Sequence, residues 1–527
     1  MAIFSFVERE FITMAITSSI AIILAVLTYF IANEFVRYRA RLKGIPGPTG
    51  LPIIGNLYHL YNVLPAEQYR LWAETYGDVF QVQLGNMPIV IINSAEAAKD
   101  LFLSQGSALN SRPVFHVFHK VVSKGIMSIG TSPWNDSCKK RRKAAASALN
   151  RAKTDSYDPI VKLESKELLR ELLTYGKSGQ EPLHYHRNIQ RYSLNLVLTL
   201  NYGTRVADTK DLKSGTLSEI VYVESEISKL RSTSDNYSNY IPFLRFFEPF
   251  QKSNAHGASI GQRRRDYNKV LLSELKARIE AGTDKACIQG NVIKDPEADL
   301  SEDELTSISL SMMAGADSST PTIEWALLLL SRMPSIQETA YKAIQKVVGE
   351  DVDPFLDADV SYVMAFTKEL LRYYTVLRLA LPKEAYRDAV WNGYKIPKGT
   401  AVFLNAWACN RDPAVFENAF EFVPERWLNP ATEKKGISHY SFGYGGRMCI
   451  ASHLANRGLY IVFLQLIANF RILPADSSSD EFGRDQPSDD SDPMKGVLVV
   501  NGIIASPKDY SLRFVPRNEK ALLQALN

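Results

Sequence analysis

The longest apolar run comes first. From Phe11 to Asn33 ("FITMAITSSIAIILAVLTYFIAN") no charge interrupts 23 positions, about the length that crosses ~30 Å of hydrocarbon as a helix. A cleaved leader carries only ~7–15 apolar residues, so the pattern predicts an uncleaved transmembrane anchor over residues 11–33, with residues 1–10 as a short luminal N-terminus. Residues 34–56 read as a basic, proline-rich hinge. Arg37, Arg39, Arg41 and Lys43 lead into "GIPGPTGLPIIGN" (Gly44 to Asn56), where prolines forbid helix and glycines permit tight turns. "VFQVQLGNMPIVIIN" (Val79 to Asn93) alternates apolar and polar positions around Gly-Asn and predicts a β-hairpin.

From about residue 95 the spacing is helical. Strand-like patterns return only at "WNGYKIPKGTAVFLNAWACN" and "GVLVVNGIIASPKDYSLRFVP". The longest helical pattern runs from Glu302 to Met333, with Ser301 as its cap and acidic residues in its first turn. It would span about 45–50 Å. Its centre, "GADSSTPT", is polar, and Pro321 predicts local widening or a kink there. Two readings fit that centre: a kinked core helix with back-bonded hydroxyls, or a groove lined by an acid and hydroxyls. "ADSSSDEFGRDQPSDDSDP" (Ala475 to Pro493) reads as a solvated loop. No internal repeat and no linker divides residues 57–527, which are expected to form one mainly α domain with small β-sheets.

Composition is that of an ordinary globular protein: 46% hydrophobic, 22% charged, formal charge +4. The basic pentamer "KKRRK" (Lys139 to Lys143) alone would suggest a nucleic-acid patch, but a membrane anchor argues against a nucleic-acid partner. Cys138, Cys287, Cys409 and Cys449 are scattered without CxxC pairs, which excludes a disulfide scaffold or a cysteine-rich zinc module. The basic cluster after the anchor places the body on the cytosolic side, where sparse cysteines are expected.

One cysteine stands apart. In "FGYGGRMCIA" (Phe442 to Ala451) a glycine-rich turn delivers Cys449 to the start of a long apolar helix. A spare buried thiol, a redox thiol and a metal ligand are all open to it. The helix dipole and Arg447 would lower its pKa toward thiolate. A thiolate suits the single axial position of haem iron. The glycines would let the backbone pass close under a flat macrocycle, and Phe442 would shield the sulfur from water. No Gly-Lys-Ser/Thr follows, so a phosphate loop is excluded.

This segment resembles the haem-binding signature of the cytochrome P450 superfamily, with Ala451 in place of its final glycine. Three further segments resemble family motifs in the right order: "AGADSS" (Ala314 to Ser319) the oxygen-activating helix, "ELLR" (Glu369 to Arg372) the Glu-x-x-Arg helix, and "FVPERW" (Phe422 to Trp427) the segment that locks it. The resemblance runs from the anchor to the last strand. It implies a cytochrome P450 fold in which residues 57–527 form a single haem-thiolate catalytic domain. It implies haem b with Cys449 as axial ligand, and Asp317 with Ser318, where relatives usually carry Thr, managing protons. Glu369, Arg372 and Arg426 become a buried network bracing the haem loop. For the propionates it implies Arg447, Trp134 and Lys383. Cys138 occupies the position where relatives carry a propionate-binding arginine, so Arg141 or Arg142 is expected to substitute. The basic face would receive an NADPH-cytochrome P450 reductase.

The stretch "NSRPVFHVFHKVV…IGTSPWNDSCKKRRKAAASALN" resembles fungal microsomal P450s that hydroxylate phenylacetate, and others that oxidise m-cresol or m-hydroxybenzyl alcohol in patulin-type pathways. The implied activity is NADPH-driven hydroxylation of a small monocyclic aromatic substrate by O2, in secondary metabolism or aromatic catabolism. The implied location is the endoplasmic reticulum membrane, single-pass. Phe115, Phe118, Ala314, Leu377, Arg378 and Ala380 are the candidate pocket residues, Arg378 being the cation for a substrate carboxylate. "YIPFLRFFEPF" (Tyr240 to Phe250) is either a membrane-dipping entrance or a packed loop. Two other functions stay open: a haem-thiolate isomerase or dehydratase needing no reductase, and a non-enzymatic, membrane-tethered haem-binding protein.

Overall fold

The computed structural model describes residues 2–206, 215–250, 252–430, 436–476, 485 and 488–527. The N-terminal apolar run forms part of one helix, α1 (Ala2–Ala40). Its stretch from Glu10 to Ala40 is long and apolar enough to cross a membrane, and none of its apolar window is buried. The helix does not stop at Asn33. Residues 34–40 continue it, so only the part of the expected hinge from Arg41 onward is non-helical. That part is no free tether: the Gln81 amide donates to the Pro46 carbonyl at 2.8 Å, and the Asn56 amide to the Gln83 carbonyl at 2.7 Å.

The predicted hairpin is present as β1 (Val79–Leu84) and β2 (Met87–Ile92), antiparallel. Gly85 turns it with φ +52°, and a Cβ there would lie 2.3 Å from the Tyr240 carbonyl oxygen, so only glycine fits. Seven short strands complete three sheets: β3 (Leu183–His184), β4 (Lys383–Glu384), β5 (Ala389–Trp391), β6 (Tyr394–Ile396), β7 (Ala401–Leu404), β8 (Phe470–Pro474) and β9 (Ser511–Pro516). Their order is β1-β2-β7-β4, β3-β9-β8 and β5-β6, and β2 runs parallel to β7. The expected strand at "GVLVVNGIIA" does not form. Residues 496–505 make turns, with one bridge between Val497 and Pro507.

The helices that position the site are α2 (Asp136–Ala148), α3 (Thr216–Leu230), α4 (Lys252–Glu280), α5 (Glu302–Arg332), α6 (Ser361–Tyr374) and α7 (Ser452–Asn469). α5 starts on a full capping box, Ser301 accepting from the Glu304 amide and Glu304 from the Ser301 amide. Its two ends enter different cores. Leu305, Ile308 and Met313 pack with α3 and α4 residues, whereas Ile323 to Leu330 pack with α6 and α7. The polar centre, residues 314–320, is half-buried where these cores meet. Helix continues unbroken through Pro321. Hydroxyls cap nearby carbonyls: Thr322 donates to Ser318 at 2.7 Å and Ser319 to Gly315 at 3.0 Å.

The acidic insert is only partly a solvated loop. Residues 477–484, 486 and 487 lie outside the described residues, but its end is docked: Tyr374 donates to the Ser491 carbonyl at 3.0 Å and Arg378 donates to that of Pro493. The aromatic segment is packed at one residue and exposed at two others. In the 3-10 helix Pro242–Phe250, Phe243 packs 5.5 Å from Tyr29 and 5.6 Å from Phe30 of α1, while Phe246 and Phe247 point outward, 73% and 47% exposed.

Candidate active site

Cys449 sits three residues before α7. Its amide donates to the Phe442 carbonyl at 3.0 Å, closing the glycine-rich turn into a loop. Gly445 is required within it. Its φ is +75°, and a Cβ would lie 2.2 Å from the Phe102 carbonyl oxygen. The Phe442 ring packs 5.5 Å from His439. Burial pushes the Cys449 thiol up, against the Ala451 amide and the Arg142 charge. The expected lowering by Arg447 and the helix end is therefore not found; the nearby cation is Arg142. Cys449 keeps accessible surface nonetheless. Accessibility and desolvation are compatible when that surface opens into a recess rather than bulk water.

Around this loop lies a cluster of buried cations without acids. Arg447 donates to the carbonyls of Asn110 (2.6 Å), Ile129 (2.9 Å) and Ser132 (2.9 Å), and its Cζ stands 5.5 Å from the Trp134 ring. Its Nε has no partner. Arg112, which sequence reasoning missed, donates to Pro382 (2.8 Å) and to the Arg447 carbonyl (3.4 Å), and its Nε is also unpartnered. Lys383 donates to Tyr444 at 2.5 Å and lies 3.6 Å from the Phe102 ring centroid. Burial, then the neighbouring arginines, pull the pKa values of Arg112 and Lys383 well down. Among the described residues none of the three has a carboxylate partner. Buried cations left this way call for a polyanionic ligand.

The adjacent arginines of α2 part company. Arg142 reaches the loop, donating to Gly446 (3.3 Å) and Met448 (3.4 Å). Arg141 is spent elsewhere, on Ser137 (3.1 Å), Met127 (3.0 Å) and Ser132 (3.1 Å) and on the Ser307 hydroxyl of α5. Arg141 is thus corrected from a ligand-facing to a structural position. In the same run Lys139 pairs with Asp136 and Lys140 with Asp299.

The Glu-Arg-Arg network closes as expected. Glu369 and Arg372 are wholly buried. Arg372 binds both Glu369 oxygens (2.9 and 2.7 Å), and Arg426 (3.1 Å), the Val423 amide (2.8 Å) and Trp427 Nε1 (2.8 Å) donate to the same carboxylate. Burial would raise the Glu369 pKa, but these bonds and charges outweigh it and hold it below the ordinary value. The remaining Arg372 hydrogens go to Asn410, Ala419 and Glu421 carbonyls.

On α5, Ser318 donates to Gly315 at 3.3 Å. The Asp317 Oδ2 has no hydrogen-bond partner. Burial and Glu224 push the Asp317 carboxyl up to about 8, against Arg264 and Arg231. Asp317 therefore faces α3 and α4 as a proton-holding acid.

A cavity opens from Arg112, lined by Phe115, Phe118, His119, Thr131, Arg231 and Ile503 among others. Phe115 and Phe118 are where the pocket was expected. Ala314, Leu377 and Ala380 line neither this cavity nor its neighbour. Arg378 lines the neighbouring one with Leu64, Leu379 and Val497. Its guanidinium donates to the Pro493 carbonyl and stacks 4.2 Å over Trp407, while its Nε and Nη1 have no hydrogen-bond partner.

A redox macrocycle fits this donor set. Among the described residues no group of three or more His, Cys, Asp or Glu side chains gathers to hold a metal, so an iron here needs its own equatorial ligands and takes one protein sulfur. Two carboxylates on such a ring would answer Arg112, Lys383 and Arg447. Comparison with known proteins agrees. The family model described as Cytochrome P450 matches residues 45–488. The chain is 47% identical to a 3-hydroxyphenylacetate 6-hydroxylase of Emericella nidulans over 95% of its own length and 94% of that protein's. It is 41% identical to a phenylacetate 2-hydroxylase of the same organism (95% and 96%) and 38% identical to a cytochrome P450 monooxygenase of Mycosarcoma maydis (94% and 92%).

Proposed function

Because the chain belongs to the cytochrome P450 family, and is thus a haem-thiolate monooxygenase served by a redox partner, we propose that it hydroxylates a small monocyclic aromatic substrate. One observation carries the substrate class: the cavity at Arg112 is walled by Phe115 and Phe118, in a chain closely similar along its length to two arylacetate hydroxylases. Aromatic edges and faces suit a benzene ring.

Bound haem supplies reductive activation of dioxygen, one oxygen atom going to the substrate and the other to water. The protein's own residues do the rest. Cys449 would ligate the haem iron through its sulfur, and its loop is fixed by the Phe442 carbonyl and tied to α2 by Arg142. Arg112, Lys383 and Arg447 would hold the propionates, with Trp134 beside Arg447. Glu369, Arg372 and Arg426 lock the segment that precedes the loop. Asp317 stores a proton at its carboxyl, and Ser318 passes it on from the next position of α5. Lys143 is exposed on α2 and Met448 on the adjoining loop; this face docks an NADPH-cytochrome P450 reductase through opposite charge. α1 anchors the protein in the endoplasmic reticulum membrane, with Phe246 and Phe247 as a second lipid contact.

The test is a titration of the haem-loaded protein with phenylacetate, 3-hydroxyphenylacetate, m-cresol and m-hydroxybenzyl alcohol. A Soret shift with at least one of them is expected, together with a reductase- and NADPH-dependent product one oxygen heavier. No shift and no product with all four would overturn the proposal.

A further inference from the structure

Arg231 follows α3 as its C-terminal cap and lines the same cavity as Arg112. The residue is half-buried, and burial is the first cause of its lowered pKa, so its accessible surface faces the cavity. Among the described residues nothing accepts a hydrogen bond from its guanidinium or pairs with it. Its Cζ lies 5.3 Å from the Phe118 ring centroid.

The charged groups around it are committed or neutral. Arg264 grips both Glu224 oxygens at 2.7 Å, and Tyr267 donates to the same carboxylate. Asp317, raised to about 8, is mostly protonated at neutral pH. His119, pushed down to about 4 chiefly by burial, is uncharged. Arg112 belongs to the cation cluster at the Cys449 loop. Glu224 and Asp317 act on it only through space, so one positive charge stands without a hydrogen-bonded counter-charge on the wall of an aromatic cavity, an arrangement that costs stability until an anion binds.

We propose that Arg231 is the specificity-determining residue of this cavity and binds the carboxylate of an arylacetate substrate, while Phe115 and Phe118 hold its ring. This rests on the small-aromatic reading above and narrows it: the substrate is an acid rather than a cresol or a benzyl alcohol. The planar guanidinium fork matches a carboxylate bidentately. Ring and carboxylate are read by adjoining parts of one wall, because Arg231 lies against Phe118.

Haem-loaded wild type, Arg231→Gln and Arg231→Lys are titrated with phenylacetate and with its methyl ester, following the Soret shift. The reduced, carbon monoxide-bound spectrum checks that haem loading is equal. Arg231→Gln is expected to bind the acid about 10- to 100-fold more weakly and the ester unchanged; Arg231→Lys keeps the charge and loses less. Should the Gln variant not accumulate, the Lys variant alone still shows a loss confined to the acid. A variant that binds the acid as tightly as wild type, or loses acid and ester equally, overturns the assignment of Arg231. A wild type that responds to neither ligand overturns the assignment of an arylacetate, and silence toward m-cresol and m-hydroxybenzyl alcohol as well overturns the small-aromatic reading beneath it.

Discussion

Arg112 donates to the main-chain carbonyl of Arg447 at 3.4 Å, so the charge of Arg447 acts on Arg112 and Lys383 is close enough to feel both. Without an anion these charges oppose one another; with a haem bound, they are proposed to form its propionate clamp. Arg112→Leu is therefore expected to act in opposite directions on the two forms. Losing one charge-assisted contact, worth ~1.5–3 kcal/mol, should speed haem transfer to a scavenging globin. The denaturant midpoint of the haem-free protein should instead rise, because repulsion is relieved. A fall of the midpoint in both forms would mean that Arg112 is purely structural.

Glu369 accepts five hydrogen bonds with no exposure, so Glu369→Gln leaves Arg372 and Arg426 without their anion. A loss of ~3–5 kcal/mol is expected, read as a lower denaturant midpoint. The pH dependence has a definite sign. A carboxylate held below its ordinary value of 4.5 contributes stability above about that pH and loses it as pH falls further. The wild-type midpoint should drop more steeply than that of the Gln variant below about pH 4.5.

Local features were legible because their causes are local. Ser301 and Glu304 announce the start of α5, Gly85-Asn86 the hairpin, and Glu369 and Arg372 share a face because they are three residues apart. Arg112 was not legible. Its partner Arg447 is 335 residues away, and no periodicity encodes that approach. Arg141 and Arg142 differ by about 100° of helix rotation, and packing against Ser307 decides which one turns inward. The end of the acidic insert looked solvated by composition, yet it is the main-chain carbonyls of Ser491 and Pro493, invisible to composition, that dock it. For the substrate cation the sequence pointed to Arg378; Arg231 was not legible, because only packing brings it to the cavity that Phe115 and Phe118 line.

Asp317 carries the clearest pH signature. Its folded pKa, about 8, lies far above the ordinary 3.8, so the folded protein holds a proton that the unfolded chain releases. Its contribution to stability is accordingly complete below about pH 4 and is lost as pH rises to about 8. Asp317→Asn cannot titrate, and its denaturant midpoint should gain on wild type between about pH 6 and 8; parallel curves would sink this. In turnover the variant should slow product formation ~10²-fold or more while NADPH oxidation continues, as expected for a lost proton donor.

The end of α1 does a different job from its apolar part. Arg37 is only 5% exposed; it donates to the Gly85 carbonyl at 2.8 Å and to Leu51 at 3.2 Å, and pairs with Glu34. Glu34 in turn accepts from the Ile53 amide at 2.6 Å, and Asn33 and Asn86 exchange side-chain hydrogen bonds. Deleting residues 2–28 should thus remove the membrane span and spare the clamp. The truncated protein is expected to keep its haem and its melting temperature, and to float with lipid vesicles only weakly, through Phe246 and Phe247. Adding Phe246→Ser and Phe247→Ser should abolish that residual flotation. Arg37→Ala in the same background should leave membrane binding unaltered but cost ~1–3 kcal/mol, because the Gly85 and Leu51 carbonyls lose their donor. Equal melting temperatures with and without Arg37 would reduce the clamp to an incidental contact, and full flotation of the truncated, doubly substituted protein would refute α1 as the anchor.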